Sequence, residues 1–191
     1  MRKVIKIILV FSFIIILSQP AFAQSTTYTV VSGDSLWKIA VRYEIGLSEL
    51  KKANTQIKNF DLIYPGQKIF IPEADPLVSL EDEVIRLTNI ERTNRGLPAL
   101  SKNWEVSRVA RYKSQDMINK NYFAHQSPTY GSPAGENIVY GQRSPKEVVN
   151  SWMNSDGHRA NILSRNFTQI GVGGAKKANG TLYWTQMFIR P

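Results

Sequence analysis

An acidic joint closed by proline, Glu73-Ala74-Asp75-Pro76, is the feature that most limits what this chain folds into. Proline disfavours helix in the residue before it, and the patterning on the two sides of the joint differs. The 191 residues are therefore expected to form a small N-terminal unit and a larger C-terminal one, each with its own core. A large multidomain enzyme is excluded. No internal repeat or low-complexity tract is present. The chain also lacks cysteine, which removes disulfides, thiolate zinc sites, iron–sulfur clusters, cysteine nucleophiles and thioether lipid anchors. Any chemistry falls to His, carboxylates, hydroxyls, Lys or a metal on N and O ligands.

The first 23 residues hold Arg2, Lys3 and Lys6, an apolar run from Ile7 to Leu17, and Ala21-Phe22-Ala23. A basic head, a short apolar core and an A-x-A end predict a secretory signal peptide over 1–23, cut after Ala23. An uncleaved membrane anchor is the alternative, although a spanning helix needs about 20 apolar residues. The net charge of +9 is unevenly placed. Three charges belong to the signal, residues 24–75 balance, and the excess of bases lies beyond residue 75. For an exported protein such a basic unit suits an anionic surface polymer better than nucleic acid, and solubility alone is an equal explanation.

Between 28 and 72 the order strand, helix, helix, strand is expected. Tyr28-Thr29-Val30-Val31 is β-prone, and Leu36, Ile39, Ala40 and Tyr43 recur at helical spacing after a Gly33-Asp34 turn. Asp34 or Ser35 is placed to cap that helix. A second short helix runs over 48–54, and Tyr64-Pro65-Gly66-Gln67 turns into a strand over 68–71. The strings YTVVSGDSLWKIAVRY, LSELKKAN and LIYPGQKIFIP together resemble a LysM domain over 27–72. The resemblance implies a βααβ fold that binds N-acetylglucosamine glycans, such as peptidoglycan, in a groove between two loops. On this chain those loops carry Gly33, Asp34, Ser35 and Leu36 on one side and Ile63, Tyr64, Pro65 and Gly66 on the other. The alternative for Gly33 and Gly66 is turn geometry alone, and for Leu36 and Ile63 the core.

A linker over 73–79 leads to the larger unit, 80–191, which reads as α+β. Ser79 with Asp82 is placed to cap a helix bearing Leu80, Val84, Leu87 and Ile90. A second helix is predicted over 104–120, with Ala110, Ser114 and Met117 on one face. Residues 121–142 read as loop. Ser144-Pro145-Lys146-Glu147 is a capping box opening a third helix with Val148, Val149, Trp152 and Met153. A short helix follows Gly157. The runs 169–175 and 181–189 are joined across Asn179-Gly180, a hairpin signal, and predict an antiparallel sheet.

Only two histidines exist, His125 and His158, and both sit beside turn-forming residues. Glu136 lies next to an apolar run, where a carboxylate is costly unless paired. Spacing alone leaves three readings open: a divalent metal site, a His–carboxylate acid/base pair, or separate surface residues. The motifs NYFAHQSPTYG, AGENIVYGQ, EVVNSWMNSDGHRANIL, FTQIGVGGA and YWTQMF resemble, in order, the bacterial CAP (SCP-like) superfamily. That resemblance implies an α-β-α sandwich around a mainly antiparallel sheet, with two His and two acids in a cleft where several members bind zinc. Carried over, the His pair is His125 and His158, as metal ligands or catalytic groups, and the first acid is Glu136. At the second acid the chain departs from the family, and Asp156 is the candidate for that catalytic position. Where relatives have Glu, this chain has Ser155, and Asp156 beside it is a short substitute. The eleven-residue step from His125 to Glu136 lacks a segment many bacterial members carry, so a more open cleft is expected.

Together these readings imply a secreted protein of the cell wall or spore envelope, without nucleic-acid or membrane partners after signal cleavage. Its LysM unit would bind peptidoglycan or another N-acetylglucosamine glycan, and its CAP cleft a divalent cation such as zinc, or a ligand. Anionic wall polymers and spore coat or cortex proteins are further expected partners. Combinations of LysM with CAP resemble proteins of spore-forming Gram-positive bacteria. The competing expectation is a metal- or His/Glu-dependent hydrolase of wall or peptide substrates. A Ser127–His125–Glu136 protease has no oxyanion-hole motif to support it.

Overall fold

The computed structural model describes residues 26–73, 75–125 and 133–190; the expected signal peptide lies outside them. In the N-terminal unit β1 (Thr26–Thr29), α1 (Leu36–Arg42), α2 (Leu47–Ala53) and β2 (Lys68–Ile71) follow in order. The strands pair antiparallel, with Thr26 opposite Ile71 and Thr29 opposite Lys68. The first strand ends two residues before the predicted limit. Val31 N–H is already given to the Asp34 carboxylate, so the chain is turning there. Of the two cap candidates Ser35 does the capping, its Oγ accepting Lys38 N–H. Asn54, fully buried after α2, donates to the carbonyls of Leu50 and Phe70 and accepts Phe70 N–H. It locks that helix to β2. Val30, Leu36, Ile39, Leu50, Ile57, Ile69 and Ile71 close a core between the helices and the sheet.

The larger unit comprises α3 (Leu77–Thr93), β3 (Ser101–Lys102), α4 (Trp104–Asn119), β4 (Gly135–Tyr140), α5 (Pro145–Met153), α6 (Asp156–Ile162), β5 (Gln169–Lys176) and β6 (Leu182–Ile189). The sheet order is β3-β5-β6-β4. Helix α4 covers one face, where Gly171 and Gly173 admit its backbone; a Cβ at Gly173 would stand 2.0 Å from Arg111 N. On the other face Val84, Val148, Trp152 and Ile162 of α3, α5 and α6 pack on Ile170, Val172, Trp184 and Phe188. The result is the expected α-β-α sandwich.

Four local expectations are corrected. Helix α3 starts at Leu77, because Asp75 accepts Leu77 N–H and anticipates Ser79, whose hydroxyl instead donates to Pro76 O. The predicted loop over 121–142 contains β4, which pairs antiparallel with β6 from Gly135 opposite Phe188 to Tyr140 opposite Tyr183. Of the glycines that suggest loop, Gly135 opens this strand and Gly141 follows its end. The sheet is not wholly antiparallel, since β3 pairs parallel with β5. In the Ser144 box the hydroxyl accepts Glu147 N–H as expected, but Glu147 reaches back to Arg143 N–H. Among the described residues no helix is long and apolar enough to cross a membrane.

Candidate functional site

The LysM-type groove is an open depression of about 220 Å³ lined by Asp34, Ser35, Leu36, Trp37, Leu47, Lys51, Phe60, Asp61 and Ile63. Four of the eight predicted residues, Asp34, Ser35, Leu36 and Ile63, are in it. Gly33, Tyr64, Pro65 and Gly66 are not among its lining. Gly33 and Gly66 both hold φ of +87°, which accounts for glycine at these turns. Tyr64 is exposed. Asp34 is not a free acceptor: its carboxylate takes Tyr28 O–H at 2.6 Å and Val31 N–H at 3.0 Å and pairs with Arg42. These bonds, the Tyr28 hydroxyl first, hold its proton affinity below the ordinary carboxylate range. Asp34 therefore shapes the loop. Trp37 and Phe60 add aromatic surface the motif reading missed. Trp37 had a signal: it is apolar yet out of phase with Leu36, Ile39, Ala40 and Tyr43, and it stands exposed.

In the CAP-type unit His125, Glu136 and His158 come together. His125 Nδ1 is 3.0 Å from Glu136 Oε1, and the two imidazole centroids are 6.2 Å apart. Glu136 projects from β4 with 7% of its side chain exposed, against 59% for His125. Burial raises the proton affinity of Glu136, while the hydrogen bond from His125 and the nearby Lys113 lower it. One proton lies between His125 Nδ1 and Glu136 Oε1 in this hydrogen bond, and the ring's Nε2 is left for another partner. Burial, and secondarily His125, lowers the proton affinity of His158.

Three residues beyond the predicted site set build this arrangement, two of them, Asn137 and Asn161, inside the CAP-like motifs. Lys113 is fully buried and donates to the carbonyls of Ala124 at 2.7 Å and His125 at 3.1 Å, seating the histidine segment. Its signal was legible: with Ala110, Ser114 and Met117 it completes the i, i+3, i+4, i+7 face of α4. Asn137 donates to His158 O and to Gln186 Oε1, and Asn161 donates to Glu136 O and Asn137 Oδ1. This amide network fastens α6 to β4.

Asp156 does not join the cluster. Its side chain is 93% exposed and pairs with Arg159 on its own helix. Ser155 is the N-cap residue of α6 and makes no side-chain cap bond. Ser127 and part of the expected open wall fall outside the described residues. Two imidazoles sharing a zinc at about 2.0–2.1 Å place their centroids roughly 5–6 Å apart, so the observed pair stands at the outer limit. Among the described residues no three His, Asp or Glu side chains are arranged to hold a metal. The donor set thus offers at most two imidazoles and does not fit a three-ligand zinc centre.

A βααβ module followed by an α-β-α sandwich, with a His–Glu pair at the edge strand of its sheet, defines a class of modular CAP proteins. The chain belongs to the cysteine-rich secretory protein (CAP) family, whose model matches residues 85–188, and it carries a LysM domain at 28–72. It does so without a cysteine. The uncharacterized protein YkwD of Bacillus subtilis (strain 168) is 52% identical over 122 residues, covering 57% of this chain and 46% of that protein. The spore coat assembly protein ExsA of Bacillus cereus is 53% identical over 45 residues, covering 24% of this chain and 7% of that protein. Among solved structures, an extracellular protein containing a SCP domain from Bacillus anthracis str. Ames matches with a TM-score of 0.54 and 32% identity, covering 66% of this chain and 47% of that one. The chain spans less than half of each of these proteins.

Proposed function

We propose that this is a secreted wall protein that docks on peptidoglycan glycan strands through its LysM domain and presents the His125–Glu136–His158 cleft to a ligand at that surface. The observation that carries the docking is the groove itself, where Trp37, Phe60 and Ile63 offer apolar surface to a sugar ring beside the polar Ser35 and Asp61. The basic excess of the CAP domain suits anionic wall polymers, and the likeness of 45 residues of the chain to a spore coat assembly protein supports a spore envelope as one setting. Pelleting with insoluble peptidoglycan tests the docking. Trp37→Ala is expected to weaken it about tenfold or more, and undiminished pelleting places the anchor elsewhere.

A hydrolase is the second reading, favoured by one observation: the 3.0 Å contact of His125 Nδ1 with Glu136 Oε1, which orients the ring and leaves its Nε2 for a substrate. In that role Glu136 would stabilise the imidazolium formed when His125 removes a proton from water or a substrate hydroxyl. Product analysis after incubation with purified wall decides between turnover and binding, with the His125→Ala/His158→Ala double variant as control. A divalent cation such as zinc would rest on His125 and His158 alone, with water or ligand completing its shell. Zinc titration of the full chain should then give a weak site that both single alanine variants abolish; unchanged isotherms in both remove the cation from the reading.

A further inference from the structure

Beside the His–Glu pair lies an aromatic cluster that no step above uses. Tyr140 sits four residues after Glu136 on β4, so the alternation of the strand puts both on the same face of the sheet. The register sets Tyr140 opposite Tyr183 of β6, and their rings stack at 5.4 Å between centroids with 20° between planes. Phe123, two residues before His125, packs edge-on to Tyr140 at 4.9 Å and to Tyr183 at 6.5 Å. This cluster is not sealed as a core would be: Phe123 is 45% exposed and Tyr140 52%. Strand β4 is the edge of its sheet among the described residues, with Glu136 and Tyr140 on one face of it.

We propose that Phe123, Tyr140 and Tyr183 form a saccharide-stacking subsite beside the His125–Glu136 pair, so that the chain holds one glycan polymer at two points. The choice of ligand rests on the glycan reading of the LysM domain. An apolar protein or a lipid tail is a poor match, because Phe123 is two residues from His125 and Tyr140 four residues along β4 from Glu136, ionisable side chains whose desolvation neither repays. A pyranose ring matches both parts: its C–H face lies on aromatic rings, and its hydroxyls reach the phenols and the His–Glu pair. Coupling through one polymer also relaxes the affinity required. A glycan already held by the LysM domain, a short linker away, meets the second subsite at an effective concentration of order millimolar. A stacking platform too weak to bind a monosaccharide therefore still adds to retention on the wall.

The test is a titration of the full chain with the peptide-free tetramer of N-acetylglucosamine, read by NMR at the Trp37 indole and the Tyr140 ring. Shifts at both are expected. A shift at Trp37 alone overturns this subsite and leaves the LysM reading standing; a shift at Tyr140 alone does the reverse, and no shift at either removes both. A shift of Tyr140 with a free wall peptide and not with the sugar also overturns the proposal. On insoluble peptidoglycan, Phe123→Ala/Tyr140→Ala, checked for an unchanged melting temperature and an intact Trp37 response, should bind about tenfold less tightly. Equal binding by that variant counts against a second contact.

Discussion

Asp34 and Glu81 are carboxylates almost removed from solvent, and their surroundings move their proton affinities in opposite directions. Asp34 is lowered by its hydrogen bonds from Tyr28 and Val31 and by Arg42. Its contribution to stability is present above the unfolded value near 3.8 and is lost as pH falls through the lower folded value. Asp34→Asn should therefore depress the melting temperature most at neutral pH, with the gap to wild type narrowing toward pH 3. Glu81, 1% exposed, accepts Arg111 Nε on both oxygens and Gly174 N–H, yet burial outweighs these partners and raises it. A raised carboxyl stabilises most below the unfolded value near 4.5 and loses that contribution as pH rises through the folded one. The melting deficit of Glu81→Gln should accordingly be larger in acid than at neutral pH, the opposite trend to Asp34→Asn. Lys113→Met removes the donor to two carbonyls; a loss of roughly 1–3 kcal/mol in urea unfolding is expected, with a measurable shift of the His125 ring resonances.

At the scale of elements, the close approach of α4 to β5 depends on glycines in a strand whose burial would otherwise favour larger residues. A Cβ at Gly173 would fall 2.0 Å from Arg111 N and 2.3 Å from Ala110 C, both backbone atoms that move only with the helix. Gly173→Ala should cost about 1–3 kcal/mol or more in denaturant midpoint, because the overpacked helix has to lift from the sheet. The same displacement would carry Lys113 and the His125 segment with it, so stability and the geometry of the His125–Glu136 pair are coupled through one helix. Strand β4 plays the complementary part: it brings Glu136, Asn137 and Tyr140 to the sheet edge from a stretch that reads as loop by its glycines and prolines.

Across the whole molecule, the LysM domain meets the CAP domain through charged and hydroxyl groups. Glu49 accepts the Tyr112 hydroxyl at 2.6 Å and pairs with Arg108 at 3.5 Å, and Lys102 links Glu44 of the LysM domain to Asp82 of α3. Solvent-exposed pairs of this kind are worth about 0–1 kcal/mol each and are screened by salt. Glu49→Arg should change thermal stability little yet let the two domains tumble independently in 15N relaxation, as should roughly 0.5 M salt in wild type; unaltered tumbling in both would show that other contacts hold the joint. Through the CAP resemblance the sequence singled out His125, Glu136 and His158, which spacing alone left open. By itself it determined the two units, the caps at Ser35 and Ser144 and the hairpin turn. Those features are written in short-range spacing, where a turn, a cap or an amphipathic period involves neighbours within a few residues. Only the tertiary structure decided that Glu136 pairs with His125 while Asp156 turns to Arg159, that buried Lys113 seats the histidine, and that β3 joins β5 in parallel. It alone also gathered Phe123, Tyr140 and Tyr183 into one cluster. Each of these contacts but the Asp156–Arg159 pair joins residues distant in the chain, and what selects them is the burial and close packing of the folded layers, which leaves no local pattern to read.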